Sequence, residues 1–496
     1  MMNYKLLWIF LLFGCQAFGQ LTWSGQLRNR AEYRDGFGTL RLNTNEPAFF
    51  ISQRARVTSA FKSNRVQFQA SIQDVRVWGQ DASTISTAEG ARLSIHEAWA
   101  EISLMNKKDT SLPGFVEYLG LKIGRQELVY DDSRLLGNLD WLQQARRHDA
   151  MVFKMLHKGW RVDFGIAYNQ NTDAFQTDGT YYVPGNVLPY VKDSKGNLVP
   201  TPSGFVPLIA ANGISSKTGS AGLINPPSTN ALGQNYKSLQ FLYLAKNIAK
   251  AKWSGLVVSD QFGAFQVDSL RTIAGKDTAY VYGRRYHSNT LHARWTLGST
   301  LTIPLSKVIQ LYAAMYYQTG HDKDGLNLNA YTSSFVLTYQ PKQIAYVAGW
   351  DLVSGNDAFD SSKMNRRFDP LYGTPHKFWG LMDYFYAGTG SPKGGLSDAY
   401  LKVKYQSSNK RFNSGIDLHY FALAADQKAM DGQKIDPYLG FEMDWVSTYS
   451  LNKFSTLEFG YSFLHASDSM VLAKDLNPGT AQKKASWAYL QLNVIF

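Results

Sequence analysis

The sequence predicts an all-β protein: a transmembrane antiparallel β-barrel of about 18 strands, with short periplasmic turns and long extracellular loops. Three observations predict it. The last stretch, Ser486–Phe496, puts Ala488, Leu490, Leu492, Val494 and Phe496 on one face of an extended strand and Tyr489, Gln491 and Asn493 on the other. Alternation at period 2 marks a strand between an apolar and a polar medium. Aromatics make up 14% and charged residues only 18% of 496 residues, with 29 Tyr, 28 Phe and 12 Trp. A soluble enzyme carries more charge and fewer Tyr, and a mean hydropathy of -0.27 is too low for a bundle of membrane helices. Aromatic girdles fit the composition. Finally, connections alternate between short and long along the chain.

Residues 1–19 read as a secretory signal, cleaved before Gln20. Lys5 begins it, Leu6 to Phe13 form the apolar core, and Ala17-Phe18-Gly19 supplies a small-x-small site. The core is too short for a membrane helix. The one Cys, Cys15, lies inside this segment, so the mature chain has no disulfide framework. Leu12-Phe13-Gly14-Cys15 is an alternative lipoprotein site, with Phe before Gly a poor fit. The remainder, 20–496, reads as a single barrel domain with long loops near 171–236 and 354–396.

The first mature strand, Leu21–Arg34, alternates Ser24, Gln26, Arg28, Arg30, Glu32 and Arg34 against Trp23, Gly25, Leu27, Asn29, Ala31 and Tyr33. So many charges on one face require a water-filled lumen. Phe49–Phe61 repeats the pattern, with Ser52, Arg54, Arg56 and Thr58 facing inward. The return strand follows Ser63-Asn64, with Val66, Phe68, Ala70 and Ile72 opposing Gln67, Gln69, Ser71 and Gln73. Further strands are expected at 92–105, 116–128, 146–156, 160–170, 237–248, 252–261, 289–303, 307–318, 330–340, 343–353, 397–406, 411–421, 437–450, 453–465 and 486–496. The short connections include 157–159, 304–306, 341–342 and 451–452. The long ones are 79–91, 129–145, 171–236, 262–288, 354–396 and 466–485. An even strand number puts both ends on the periplasmic side, and the last strand must pair with the first to close the ring. Residues 171–236 read either as a pore constriction or as a mobile external loop. Residues 354–396, with Trp379, Tyr384, Phe385 and Tyr386, read as a loop that packs, inside the lumen or elsewhere.

No catalytic constellation is legible, and the chain is read as no enzyme and as needing no cofactor or metal. His96-Glu97-Ala98-Trp99-Ala100 begins like a zinc-protease motif without its second His. No serine nucleophile elbow is present, and no Gly-rich stretch follows a strand-to-helix pattern. Asp322-Lys323-Asp324-Gly325 resembles a calcium-loop fragment but lacks the downstream Glu. The nine His are scattered without ligand spacing. The net charge of +12 comes without a dense Lys/Arg block, which argues against nucleic acid as a partner. It points to an electropositive surface or lumen for anions.

The candidate pore-lining and anion-binding residues are arginines first. Arg28, Arg30, Arg54 and Arg56 come from adjacent strands. Arg125, Arg134, Arg146 and Arg147, with Asp149, flank the loop at 129–145. Lys402 and Lys404 alternate with Leu401, Val403 and Tyr405. Guanidinium groups fork onto carboxylates and stay charged. Glu32, Glu97, Glu101, Asp163, Asp417, Glu442 and Asp444 are expected to pair with some of them, which keeps binding weak enough for conduction. The alternative role for these ion pairs is to fill the lumen and brace the wall.

Leu121-Lys-Ile-Gly-Arg-Gln-Glu-Leu-Val-Tyr130, Arg134-Leu-Leu-Gly137, Asp140-Trp141 and Ala145-Arg-Arg-His-Asp149 resemble the alginate-export outer-membrane porin family. Asp369-Pro-Leu-Tyr-Gly-Thr-Pro-His-Lys-Phe378, Met382-Asp383-Tyr384 and the early Arg-Asn-Arg-Ala-Glu-Tyr stretch are similar too, so the likeness is expected over most of the mature chain. The resemblance implies an eighteen-stranded monomeric barrel in the outer membrane of a Gram-negative bacterium. It also implies an Arg-rich constriction, best matched by Arg125, Arg134, Arg146, Arg147 and Asp149, that passes a uronate polymer outward. The expected partners are outer-membrane lipid, the barrel-assembly machinery and an anionic poly- or oligosaccharide cargo, with a periplasmic export partner left open. Uptake of small anionic or sugar-like nutrients is the alternative reading.

Overall fold

Alternating sequences pair into a ring because a strand buried in lipid on one face must satisfy every backbone group laterally. The computed structural model describes residues 20–79, 93–107, 116–169, 187–224, 236–274, 277–386, 392–429 and 431–496. The expected signal segment, with Cys15, lies outside the described residues. The wall begins with β1 (Gln20–Asp35), β2 (Ala48–Lys62), β3 (Val66–Val77), β4 (Leu93–Asn106), β5 (Tyr118–Gln126), β6 (His148–His157) and β7 (Trp160–Tyr168). Four short strands lie in the following loop: β8 (Tyr190–Lys192), β9 (Leu198–Pro200), β10 (Phe205–Ile209) and β11 (Ser220–Ala221). The wall resumes with β12 (Ser238–Ile248), β13 (Ala251–Ala274), β14 (Asp277–Pro304), β15 (Ile309–His321), β16 (Asn327–Tyr339) and β17 (Ile344–Val353). It ends with β18 (Leu396–Gln406), β19 (Phe412–Ala422), β20 (Tyr438–Ser450), β21 (Ser455–Ala466) and β22 (Lys484–Ile495), with helix α1 (Asp468–Ala473) before the last. Of 22 strands, the four in the loop leave eighteen in the wall, each antiparallel to its neighbours.

The ring closes where the sequence places its seam. β1 pairs with β22 from Gln26 opposite Ile495 to Asp35 opposite Ser486. Gly25 and Phe496 exchange two backbone hydrogen bonds, of 2.9 and 3.0 Å. A Cβ on Gly25 would lie 2.3 Å from Cζ of Phe496, so the terminal ring lies across a position kept bare. Leu490, Leu492 and Phe496 face outward, whereas Trp487 and Tyr489 are buried in the interior.

Residues 262–288, expected to be a loop, instead extend β13 and β14 into one long hairpin. Strand pairing continues past the wall, with Phe265 opposite Tyr286 and Leu270 opposite Val281, after a register shift between Gly263 and Phe265. β10 adds to β14 there, and Val191, Phe205 and Val281 form a small separate core. Within 171–236, the stretch carrying β10 therefore builds on the hairpin, while Tyr236 joins the interior cluster.

The main hydrophobic cluster lies inside the barrel. Leu135, Leu136, Tyr372, Trp379, Tyr384 and Tyr386 come from two connections, and Phe241, Phe421 and Trp487 from the wall. The lumen is thus not the wholly aqueous channel expected from alternation. The loop between β5 and β6 and the loop between β17 and β18 fold inward and bury their aromatics against one another.

Candidate pore constriction

Loop 127–147 crosses the bore. Its near end bonds to the first two strands. Arg28 donates to Gln143 Oε1 at 2.9 Å, Asp140 Oδ2 at 3.1 Å and the Leu142 carbonyl at 3.2 Å. Arg54 donates to Asp140 Oδ1 at 2.7 Å and to the Gln143 carbonyl at 3.3 Å. Arg30 lies 3.8 Å over the Trp141 ring and donates to its carbonyl at 3.0 Å. The far end reaches the opposite wall. Arg134 donates to Asp351 Oδ2 on β17 at 2.8 Å, to Ser334 Oγ on β16 at 3.2 Å and to Asp132 Oδ2 at 3.3 Å. Between these ends, Tyr243 and Tyr312 donate to Asp131 and Asp132, each at 2.8 Å.

The second inward loop lies against the first. Tyr372 N donates to the Leu135 carbonyl at 2.9 Å, Gly137 N to the Tyr372 carbonyl at 3.0 Å and Thr374 N to the Ser133 carbonyl at 2.8 Å. A Cβ on Gly373 would lie 1.9 Å from the Arg134 carbonyl oxygen, so only glycine permits this approach. Its wall contacts are Tyr372 to Asp260 at 2.8 Å, Met382 N to Glu442 at 2.9 Å and Leu381 N to Asp444 at 3.2 Å. Trp141 stacks on His376 at 4.3 Å between centroids and joins the two loops a second time. Among the described residues, seven of the eleven non-glycine residues with positive φ sit in these loops: Asp131, Ser133, Leu139, Ala145, Leu371, Asp383 and Tyr386. Backbone strain of this kind persists only where surrounding contacts over-determine it.

The predicted residues divide into four groups. Arg28, Arg54 and Arg56 do converge, on the single carboxylate of Asp140, whereas Arg30 pairs with Glu32 Oε1 at 2.9 Å beside them. Arg56 is 4.0 Å from Asp140 and donates to Gln73 Oε1 at 2.8 Å. Burial alone would raise the Asp140 pKa, but the hydrogen bond from Arg54 and the charges of Arg54, Arg28 and Arg56 hold it below the ordinary aspartate value. Arg134 and Arg146 are interior, but they anchor loops. Burial lowers the Arg146 pKa to about 10, and its Nη1 donates to the Gly373 carbonyl at 2.5 Å. Lys402 faces the lumen as expected, 2.8 Å from Asp417 Oδ2, with Lys404 4.0 Å from the same oxygen.

Arg125, Asp149 and Arg147 correct the expectation. Arg125 opposes Asp149, bonded at 2.8 and 2.9 Å, on the face that carries Ile123 and Phe153. Those two residues are exposed on the outside of the wall, so the pair sits there and not in the pore. Arg147 lies beside them, its pKa lowered by burial and by the Arg125 charge. Strand parity decides this: Gln126 and His148, one residue away, are the buried inward neighbours.

Lumen cations left out of the expected set lie towards the short-turn rim. Lys122 lies 3.9 Å over the Trp99 ring, Lys154 pairs with Glu101 at 2.6 Å and Arg161 with Asp163 at 2.6 Å. Alternation against Ile123, Phe153 and Phe164 could have found all three. Of the expected acidic partners, Glu32, Glu101, Asp163 and Asp417 do pair with cations. Glu442 and Asp444 instead hold backbone N–H groups of the second loop. The calcium-loop fragment is also accounted for: Asp322 accepts from the backbone N–H of Asp324 and of Leu326, and Asp324 pairs with Arg284 and Lys323.

A closed eighteen-stranded antiparallel barrel with an apolar outer face and inward-folded loops defines an outer-membrane β-barrel of the porin type. Over residues 20–169 the chain matches the family model described as alginate export, which covers the first seven strands and loop 127–147. The similar block at 369–384 lies beyond that match. Solved structures with the same fold include Acinetobacter baumannii OccAB4, at 13% identity, covering 96% of this chain and 98% of that one with a TM-score of 0.53. Pseudomonas aeruginosa OpdO is 10% identical, covering 96% and 97% with a TM-score of 0.54. The P. aeruginosa outer membrane protein OpdK is 8% identical, covering 96% and 98% with a TM-score of 0.51. At these identities the likeness concerns the fold. No curated protein matches the chain.

Proposed function

We propose that the protein is a passive outer-membrane channel for anionic solutes, and that its cargo is an acidic polysaccharide of the alginate kind moving outward. One observation carries the reading: three guanidiniums, Arg28, Arg54 and Arg56, gather around one carboxylate, Asp140, which leaves a surplus of positive charge at the constriction. Lys122, Lys154 and Arg161 extend that surface along the lumen towards the short-turn rim. A polyuronate would exchange its hydration for these forked donors one residue at a time. The alginate-export match over residues 20–169 supports the same cargo class.

Uptake of small anions is the second reading, favoured by the two inward loops that narrow the bore. One solved structure of the same fold is that of OpdK with vanillate. Single-channel recording in planar bilayers separates the two readings. Block by polyuronate at concentrations where small carboxylates leave the current unchanged supports export. Block by small carboxylates alone supports uptake, and indifference to both counts against an anion path.

A further inference from the structure

His96-Glu97 begins a metal-protease motif whose second histidine is missing, and the fold supplies a third ligand from elsewhere. In the β3–β4 ladder Ser71 opposes Glu97 and Ile72 opposes Ile95, so His96 is an extra, bulged residue. Bulges re-aim side chains. Here Ile95 stays on the outer face while His96 is wholly buried. Glu127 opens the first inward loop, directly after β5. One ligand atom from each of His96, Glu97 and Glu127 lies within 4.8 Å of the others. His96 Nε2 and Glu127 Oε1 are 2.8 Å apart. Ligand atoms at about 2.0–2.2 Å from one tetrahedral metal ion stand roughly 3.3–3.6 Å apart, so the pair opens by about half an ångström to admit an ion. Among the described residues, Nδ1 of His96 is buried without a hydrogen-bond partner, which leaves the contact of Nε2 with Glu127 as the ring's polar tie.

We propose that His96, Glu97 and Glu127 bind one divalent first-row transition cation. One imidazole with two carboxylates is a donor set of intermediate softness, suited to Zn²⁺ or Mn²⁺ rather than to Ca²⁺. The dication neutralises the two carboxylates. The remaining contacts already orient them: Gln69 Nε2 donates to Glu97 at 2.6 Å, Trp99 Nε1 to Glu97 at 3.0 Å and Asn138 Nδ2 to Glu127 at 2.8 Å. Such outer-shell donors fix ligand orientation. Asn138 lies at the midpoint of loop 127–147, two residues before Asp140. The cation therefore clasps the base of that loop to the wall and couples its occupancy to loop docking. The site does not depend on what passes through the barrel.

The test is isothermal titration of the detergent-solubilised full chain, stripped with chelator, using Zn²⁺ as probe. One Zn²⁺ per chain is expected. Glu127→Gln and His96→Ala should each weaken it by about 10-fold or more, while both variants keep the heat-modifiable gel mobility of a folded barrel. His292→Ala, which alters the separate His292–His321 contact, should bind as the parent does. A stripped parent that takes up no Zn²⁺ overturns the proposal. So does a folded Glu127→Gln chain with unchanged affinity, which also covers the case in which His96→Ala fails to fold.

Discussion

Arg134 donates to Asp351 at 2.8 Å, and the two side chains are 3% and 1% exposed. Arg134 belongs to the first inward loop and Asp351 to β17, so this pair fixes the loop to the wall opposite its own strands. Burial would lower the Arg134 pKa, but the charges of Asp351 and Asp132 raise it well above the ordinary value. Removing one partner of a buried pair leaves an uncompensated charge, which costs about 3–5 kcal/mol. Asp351→Ala should therefore release the far end of the loop while the wall remains paired. Single-channel conductance should rise and become noisier, and unchanged conductance would show that the loop is held without Arg134.

Asp140 makes the near end of the same loop sensitive to acid. Its folded pKa lies below the ordinary value of 3.8. A carboxylate of that kind contributes stability that is complete above its unfolded value and is lost as pH falls through its folded one. Conductance should be steady from neutral pH down to about 4 and change below it. Asp140→Asn should show the altered conductance already at neutral pH, with the acid transition reduced. An acid transition of unchanged size in that variant would locate the switch elsewhere.

Trp141 sits between the Arg30 guanidinium and the His376 ring. A cation–π contact of this buried kind contributes about 2 kcal/mol, and the stack on His376 adds to it. Trp141→Ala should loosen both inward loops together, because the ring touches one loop and belongs to the other. Limited proteolysis from the long-loop side should then cleave near 127–147 and near 354–386 at similar rates. Cleavage confined to one loop would argue that the two dock independently.

Phe496 closes the seam through two backbone bonds to Gly25 and a ring laid across that glycine. Deleting Phe496 removes both bonds at the last pairing step. The fraction of heat-modifiable, folded barrel should fall sharply. Normal assembly would contradict the role of this residue in closure.

The eighteen strands were legible because a lipid-facing wall imposes period 2 on every segment, and short and long connections fix parity. The extension of β13 and β14 is not legible because the apolar positions change face between Val267 and Leu270, although strand pairing continues. The convergence of Arg28 and Arg54 was legible from strand parity, and their ladder pairing is direct. That Asp140 would be their common partner was not legible, since it requires a loop to enter the bore. Arg134 and Asp351 are 217 residues apart, and no local pattern connects them. Arg125 and Asp149 match the family motif, but they share parity with Ile123 and Phe153, which face outward.

Ion selectivity reports on the sign of the charge that lines the lumen. Reversal potentials should be measured across a planar bilayer under a potassium chloride gradient, for the parent chain and for Arg56→Gln combined with Lys154→Gln. Chloride selectivity is expected in the parent, reduced in the variant as lumen charge is removed. Cation selectivity in the parent, or anion selectivity that is unchanged when both lumen charges are gone, would contradict the anion path.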